Sequence, residues 1–168
     1  MEQSYLEYFY YYPIQNGFVT FMLGFLFSLT IYHFLLYFQQ KDSLYLYYSG
    51  YTFFIMLSQF NHIPDGFLRK LIYPSLNLGS YTPVFTEAYY ILYFVFAFKF
   101  LNVKKQFPKW HAICFKILYW VIGFCVIKLL LYIFSGDYVY LDLGYLIFTV
   151  LMSILGIITY IPFFKMHS

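Results

Sequence analysis

Two ionisable side chains lie inside long apolar stretches of the sequence, where a charge must find a partner or reach water. Glu87 is about five residues inward from the start of one stretch, and Lys128 is about six inward from the end of the next. In adjacent antiparallel helices these depths match, and charges within a membrane usually face a partner inside the bundle. The sequence thus favours a Glu87–Lys128 ion pair. The alternative is that Lys128 extends outward to Asp137 or Asp142 while Glu87 lies in the hydrated headgroup layer.

His33 is a third polar residue within an apolar stretch, near the end of the first one. An imidazole at that depth is suited to relay protons or to respond to pH. The alternative is a neutral ring that is hydrogen-bonded to a neighbouring helix. Both interpretations of His33 stay open at this point.

No residue set typical of a soluble enzyme accompanies these positions. The chain has no phosphate-binding glycine loop, no Cys-x-x-Cys pair and no His-Glu-x-x-His motif, and its four histidines are scattered. Cys114 and Cys125 fall on one expected helix, about 16 Å apart, which is too far for a disulfide. We therefore expect no catalytic residue, no metal ligand, no cofactor and no enzymatic activity.

Five apolar stretches must position these side chains. The chain is 62% hydrophobic and only 10% charged, whereas a soluble domain has roughly a quarter of its residues charged. The composition predicts a single all-α integral membrane domain, a bundle of five transmembrane helices. The stretches span residues 17–38, 44–60, 82–101, 112–134 and 141–164. A net charge of +3 is too small to imply a nucleic-acid partner or a polybasic lipid-binding patch.

The connections give start and stop signals for these helices. Thr82 and Pro83 form an N-cap and first-turn pair, Pro108 is expected to stop a helix, and residues 39–43 and 135–137 form tight turns. The longest connection, residues 61–80, has room for a short interfacial helix at residues 66–71. In the first stretch, Gly24 and Ser28 share one face, which favours a close helix–helix contact there.

Basic residues are distributed unevenly between the two sides of the predicted bundle. Cytoplasmic loops carry an excess of Lys and Arg. One side has Lys41, Lys99, Lys104, Lys105, Lys109, Lys116 and Lys165, and the other has only Arg69 and Lys70. The bias predicts the N-terminus outside and the C-terminus inside.

One segment resembles a known pattern. Residues 32–48, YHFLLYFQQKDSLYLYY, combine an aromatic helix end, a tight charged turn with Lys41-Asp42-Ser43, and a tyrosine-rich second helix. This segment resembles the first helical hairpin of the bacterial seven-transmembrane receptors with diverse intracellular signalling modules. The run Phe100-Leu101-Asn102, followed by a basic linker and Pro108, is similar to the connection between the third and fourth helices of that family. The similarity runs from about residue 10 to the C-terminus.

The resemblance implies a sensor or transmission module of a bacterial signal-transduction receptor, multi-pass in the inner membrane. The family has seven helices, so the chain is expected to be a fragment with the first five, without a periplasmic sensor. The implied partners are the bilayer, neighbouring helices or a second copy, and a cytoplasmic effector in the complete protein: a histidine kinase, a cyclic-di-nucleotide cyclase or a DNA-binding module. The alternative function is a small transporter or channel subunit in which Glu87 and Lys128 line a polar path.

Overall fold

The structure, a computed structural model, describes residues 2–59 and 81–164, with side chains at 17–59 and 81–159. Within these ranges the chain is helical and contains no strand. The helices are α1 (Glu2–Gln40), α2 (Ser43–Gln59), α3 (Thr82–Phe100), α4 (Val103–Gln106), α5 (Pro108–Ser135) and α6 (Val139–Phe164). The helix expected at residues 66–71 lies outside the described residues.

The first three long helices pack side by side in chain order, and the last two pack together against the third. α1 packs on α2, α2 on α3, α3 on both α5 and α6, and α5 on α6. The buried apolar core therefore lies among α3, α5 and α6, with Phe94, Phe98, Cys114, Leu118 and Leu155 at its centre.

Three of the helices are long and apolar enough to cross a membrane by length and composition: α1 over Gly17–Gln40, α5 over Pro108–Ser135, and α6 over Val139–Thr159. The two other predicted spans form helices but do not reach that standard. α2 has 17 residues, a rise of about 26 Å against a hydrocarbon core of about 30 Å. α3 has 19 residues and includes both Glu87 and Lys99.

Small polar groups join α1 to α2. The hydroxyls of Thr30 and Thr52 lie 2.9 Å apart, and the Ser49 hydroxyl donates to the Thr30 carbonyl oxygen at 2.9 Å. Ser49 and Thr52 are buried. Such short hydroxyl side chains let two helices approach closely while their hydrogen-bonding groups stay satisfied.

The contact predicted at Gly24 and Ser28 is wrong. Both residues are exposed, no neighbouring atom lies within 4 Å of where a Gly24 Cβ would stand, and the Ser28 hydroxyl donates to the Gly24 carbonyl oxygen of its own helix. The face of α1 that meets α2 carries Thr30 instead.

Pro108 follows the short helix α4, which ends at Gln106, so a helix does end before it as predicted. Pro108 also lies in the first turn of α5, where a missing N–H breaks no helical hydrogen bond. α3 ends earlier, at Phe100 with Leu101 as its C-cap, and the next residue, Asn102, has a left-handed φ of 51°. Pro83 likewise lies in the first turn of α3, but the N-cap is Tyr81 rather than Thr82.

The turn between α5 and α6 follows the prediction. Gly136 ends α5 with a φ of 69°, and its N–H donates to the Tyr132 carbonyl oxygen at 2.8 Å. The Asp137 carboxylate then accepts the Val139 N–H at 3.0 Å at the start of α6. The two helices are thus antiparallel neighbours.

Candidate functional site

A buried ion pair links α3 to α5. The Lys128 ammonium donates to the Glu87 carboxylate, and the side chains of the two residues are 4% and 3% exposed. Lys128 therefore does not extend outward to Asp137 or Asp142, and Glu87 is not in a wet surface layer. Of the candidate residues from the sequence, these two are brought together, while His33 lies elsewhere.

The third helix of the core completes this site through a glycine. Gly144 on α6 is buried, and a Cβ built there would overlap the methylene groups of Lys128. The lysine chain therefore lies across the α6 backbone on its way to Glu87. Its path depends on the absence of a side chain at Gly144, so α3, α5 and α6 meet at one charged contact. No sequence motif marks Gly144, and only its spacing relative to Lys128 in the folded hairpin identifies it.

A thiol is the next polar group of this junction. Cys125, one turn before Lys128 on α5, lies close to both Glu87 and Lys128. Cys125 and Cys114 are both free thiols. The described residues contain no group of three side chains suited to hold a metal ion.

The energetics of the junction make it sensitive to change. A charge taken out of water and paired at close range is held by a strong local interaction, but each partner left alone in that place is costly. The pair is therefore weak evidence of net stability and stronger evidence of a specific helix arrangement. What the contact can do is hold three helices in one register.

His33 is held within its own helix rather than by a neighbouring one. Its Nδ1 lies 2.8 Å from the Leu29 carbonyl oxygen, one turn earlier in α1. Its ring packs on Tyr48 of α2 with centroids 4.2 Å apart. The contact of His33 with the neighbouring helix is therefore aromatic, and Nδ1 is the donor nitrogen in this hydrogen bond.

A second ion pair, absent from the sequence-based candidates, joins the end of α3 to the α1–α2 turn. Lys99 Nζ lies 2.9 Å from Asp42 Oδ1 and also donates to the Ser43 hydroxyl. The Leu44 N–H, which donates to Asp42 at 2.9 Å, and the Lys99 ammonium together hold the pKa of Asp42 below its ordinary value. Both side chains are partly exposed, so this pair contributes modestly to stability. It shows that the turn and the end of α3 lie at the same end of the bundle.

A family model described as 7TM diverse intracellular signalling matches residues 15–167. The match extends from α1 through α6. The chain belongs to the 7TM diverse intracellular signalling family. No curated protein and no solved structure matches the chain.

Membership in the 7TM diverse intracellular signalling family confirms the resemblance found in residues 32–48. It makes the chain a membrane protein and a module of a membrane signalling receptor. The three helices of membrane-spanning length and composition agree with that class.

Proposed function

We propose that this chain is the membrane-embedded transmission module of a bacterial signalling receptor. In this proposal it crosses the inner membrane five times, with its N-terminus outside and its C-terminus inside. It passes a state of its outer side to a cytoplasmic effector, such as a histidine kinase, a cyclic-di-nucleotide cyclase or a DNA-binding module. The family match over residues 15–167 carries the proposal.

The ion pair at the three-helix junction supplies a physical element for transmission. A packed bundle transmits a signal when its helices have two discrete arrangements, with small shifts or rotations between them. The Glu87–Lys128 pair, seated on Gly144, holds one arrangement. A displacement of α3 along α5 of a few ångström separates the two charges. The alternative arrangement then needs new partners for both groups, which makes the change all-or-none rather than gradual.

The transporter alternative is less well supported by the geometry. A polar path needs side chains that water or an ion reaches, whereas Glu87 and Lys128 are almost fully buried and satisfy each other. Proteoliposomes separate the two functions. Ion or proton flux that Glu87→Gln abolishes would favour a transporter, and we expect no flux above that of protein-free vesicles.

Distance measurements between spin labels test the transmission function. Phe100 on α3 and Ile157 on α6 are exposed and lie near the same end of the bundle. The spin labels are attached to the cysteines introduced by Phe100→Cys and Ile157→Cys in the full chain. The same chain carries Cys114→Ala and Cys125→Ala, so that its two free cysteines are not labelled. We expect one main distance when the pair is intact and a second population when Lys128→Met breaks it. The same single distance in both proteins would mean a static bundle and would contradict transmission.

A further inference from the structure

Three lysines from two helices, α3 and α4, meet at one end of the bundle around a cavity of about 340 Å³. We call it the basic pocket. Asn102, Lys104, Lys105 and His111 line its polar side, and Phe98 and Phe115 line its apolar side. The left-handed Asn102 reverses the chain after α3, and Val103, which is 4% exposed, fixes α4 against the core. The backbone thus presents two consecutive lysines over the pocket.

Among the residues that the structure describes, no carboxylate balances the charge of Lys104 and Lys105 in this pocket. Lys99, which also borders it, is already paired with Asp42. Lys104 and Lys105 are exposed, and neither has a carboxylate partner among the residues that the structure describes. Two cations that share a concave site and lack a counter-ion favour a bound anion.

The other side of the pocket is apolar and aromatic. Phe98 is buried, its ring centroid lies 5.8 Å from that of Phe115, and the Phe115 ring stacks on His111 at 4.3 Å. The pocket lies where α5, a helix of membrane-spanning length, begins. A ligand there meets cations on one side and hydrocarbon on the other, which is the arrangement of a lipid headgroup next to its acyl chains.

We propose that the basic pocket binds the phosphodiester headgroup of an anionic phospholipid, with Lys104 and Lys105 on the phosphate and an acyl chain along Phe98 and Phe115. Basic pockets between helices at a membrane surface bind such headgroups, and about 340 Å³ is at the small end of specific ligand sites. The inference needs the chain to lie in a membrane but does not depend on its signalling role. It also revises the expectation from the net charge of +3, which does not reveal that lysines cluster locally.

Native mass spectrometry of the full chain, released from nanodiscs that contain phosphatidylcholine and phosphatidylglycerol, tests the proposal. We compare the wild type with the double variant Lys104→Gln/Lys105→Gln. The matched control is Lys109→Gln/Lys116→Gln, which removes the same charge from exposed positions near the same end but outside the pocket. Thermal unfolding in pure phosphatidylcholine verifies that all three proteins are folded.

We expect the wild type and the control to retain phosphatidylglycerol equally, and the pocket variant to bind it on the order of thirty-fold more weakly. Equal losses in both double variants would indicate only a general attraction of basic residues to an anionic surface and would overturn the pocket. A separate arm adds soluble glycerol phosphate to protein in phosphatidylcholine nanodiscs. If glycerol phosphate binds as tightly as the lipid, the ligand is a free phosphate compound and the lipid assignment is wrong.

Discussion

Lys99, at the end of α3, reaches across to the turn between α1 and α2, where its ammonium lies 2.9 Å from the Asp42 carboxylate. The same carboxylate accepts the Leu44 N–H and so caps the start of α2. One aspartate thus closes the hairpin and fixes the end of the third helix against it. The charged turn that carries the family resemblance therefore also connects α1 and α2 to the end of α3.

The Asp42 contact predicts a defined pH dependence. Because the pKa of Asp42 is lowered in the folded protein, its stabilising contribution is fully present above the unfolded pKa, whose ordinary value is 3.8. It is lost as the pH falls below that value and through the folded pKa. We expect the difference in Tm between the wild type and Asp42→Asn to be constant from pH 7 to about pH 5 and to shrink below about pH 4.

Thermal unfolding in nanodiscs over this pH range measures the Asp42 effect. The amide introduced by Asp42→Asn keeps an oxygen that accepts the Leu44 N–H, so the comparison isolates the charge. Asp137→Asn is the matched control, since Asp137 also caps a helix from an exposed turn but has no lysine against it among the described residues. A Tm difference that stays constant down to pH 3 would show that Lys99 and Leu44 do not stabilise the ionised Asp42.

The buried pair at the three-helix junction predicts strong coupling between two mutations. Glu87→Gln and Lys128→Met each leave one buried charge without compensation, and each is expected to destabilise the bundle by about 3–5 kcal/mol. The double variant leaves neither charge, so its loss should be well below the sum. Unfolding free energies in mixed micelles for the four proteins give the coupling energy directly. Additive losses would mean that the two side chains do not interact, and both would then cease to be candidate site residues.

Gly144 predicts a position-specific effect on α6. Gly144→Ala places a methyl group where the Lys128 chain lies, so the lysine must move away from Glu87 and the bundle should lose stability. Gly156→Ala is the control on the same helix, because no neighbouring atom lies within 4 Å of a Cβ there. It should be neutral or stabilise by up to about 1 kcal/mol through better helix propensity. Combining Gly144→Ala with Lys128→Ala should relieve the clash; a Gly144→Ala protein as stable as the wild type would contradict the proposed path of the lysine.

Much of the fold follows from hydrophobic runs and turn residues. The predicted stretches all became helices, and Gly136 and Asp137 end and start the last two where the sequence indicated. Matching depths in antiparallel helices were sufficient to bring Glu87 opposite Lys128. These features depend on local chemistry and on length along a helix, which a single sequence records.

The contacts that the sequence did not predict depend on which faces of the helices meet. The apolar residues of α1 are spread around the helix, so its sequence pattern does not distinguish the contact at Thr30 from the exposed Gly24. The roles of Gly144 and Lys99 likewise require the relative rotation of helices that are distant in sequence. Proline both follows helix ends and begins helices, so the start of α5 at Pro108, four residues before the predicted start, was not evident from the sequence.

The topology of the chain is open to a direct test with reporter fusions. Seven of the ten basic residues lie on the side that the charge bias assigns to the cytoplasm. A reporter active only in the cytoplasm should therefore work after Ser168 and within residues 104–109. Alkaline phosphatase, which is active only outside the cytoplasm, should work within residues 135–140, and activity within residues 104–109 would reverse the orientation.

The fusion within residues 61–80 decides the number of spans. If only α1, α5 and α6 cross the membrane, residues 61–80 stay on the cytoplasmic side together with the start of α2 and the end of α3. The fusions after Ser168 and within residues 104–109 and 135–140 then give the same results as with five spans. The Lys99–Asp42 contact fits both arrangements, because it requires only that the start of α2 and the end of α3 lie at one end. Five spans place residues 61–80 outside, where alkaline phosphatase should be active. An inactive alkaline phosphatase there, with the fusion protein expressed at normal levels, would mean that α2 and α3 form a hairpin that does not cross the bilayer.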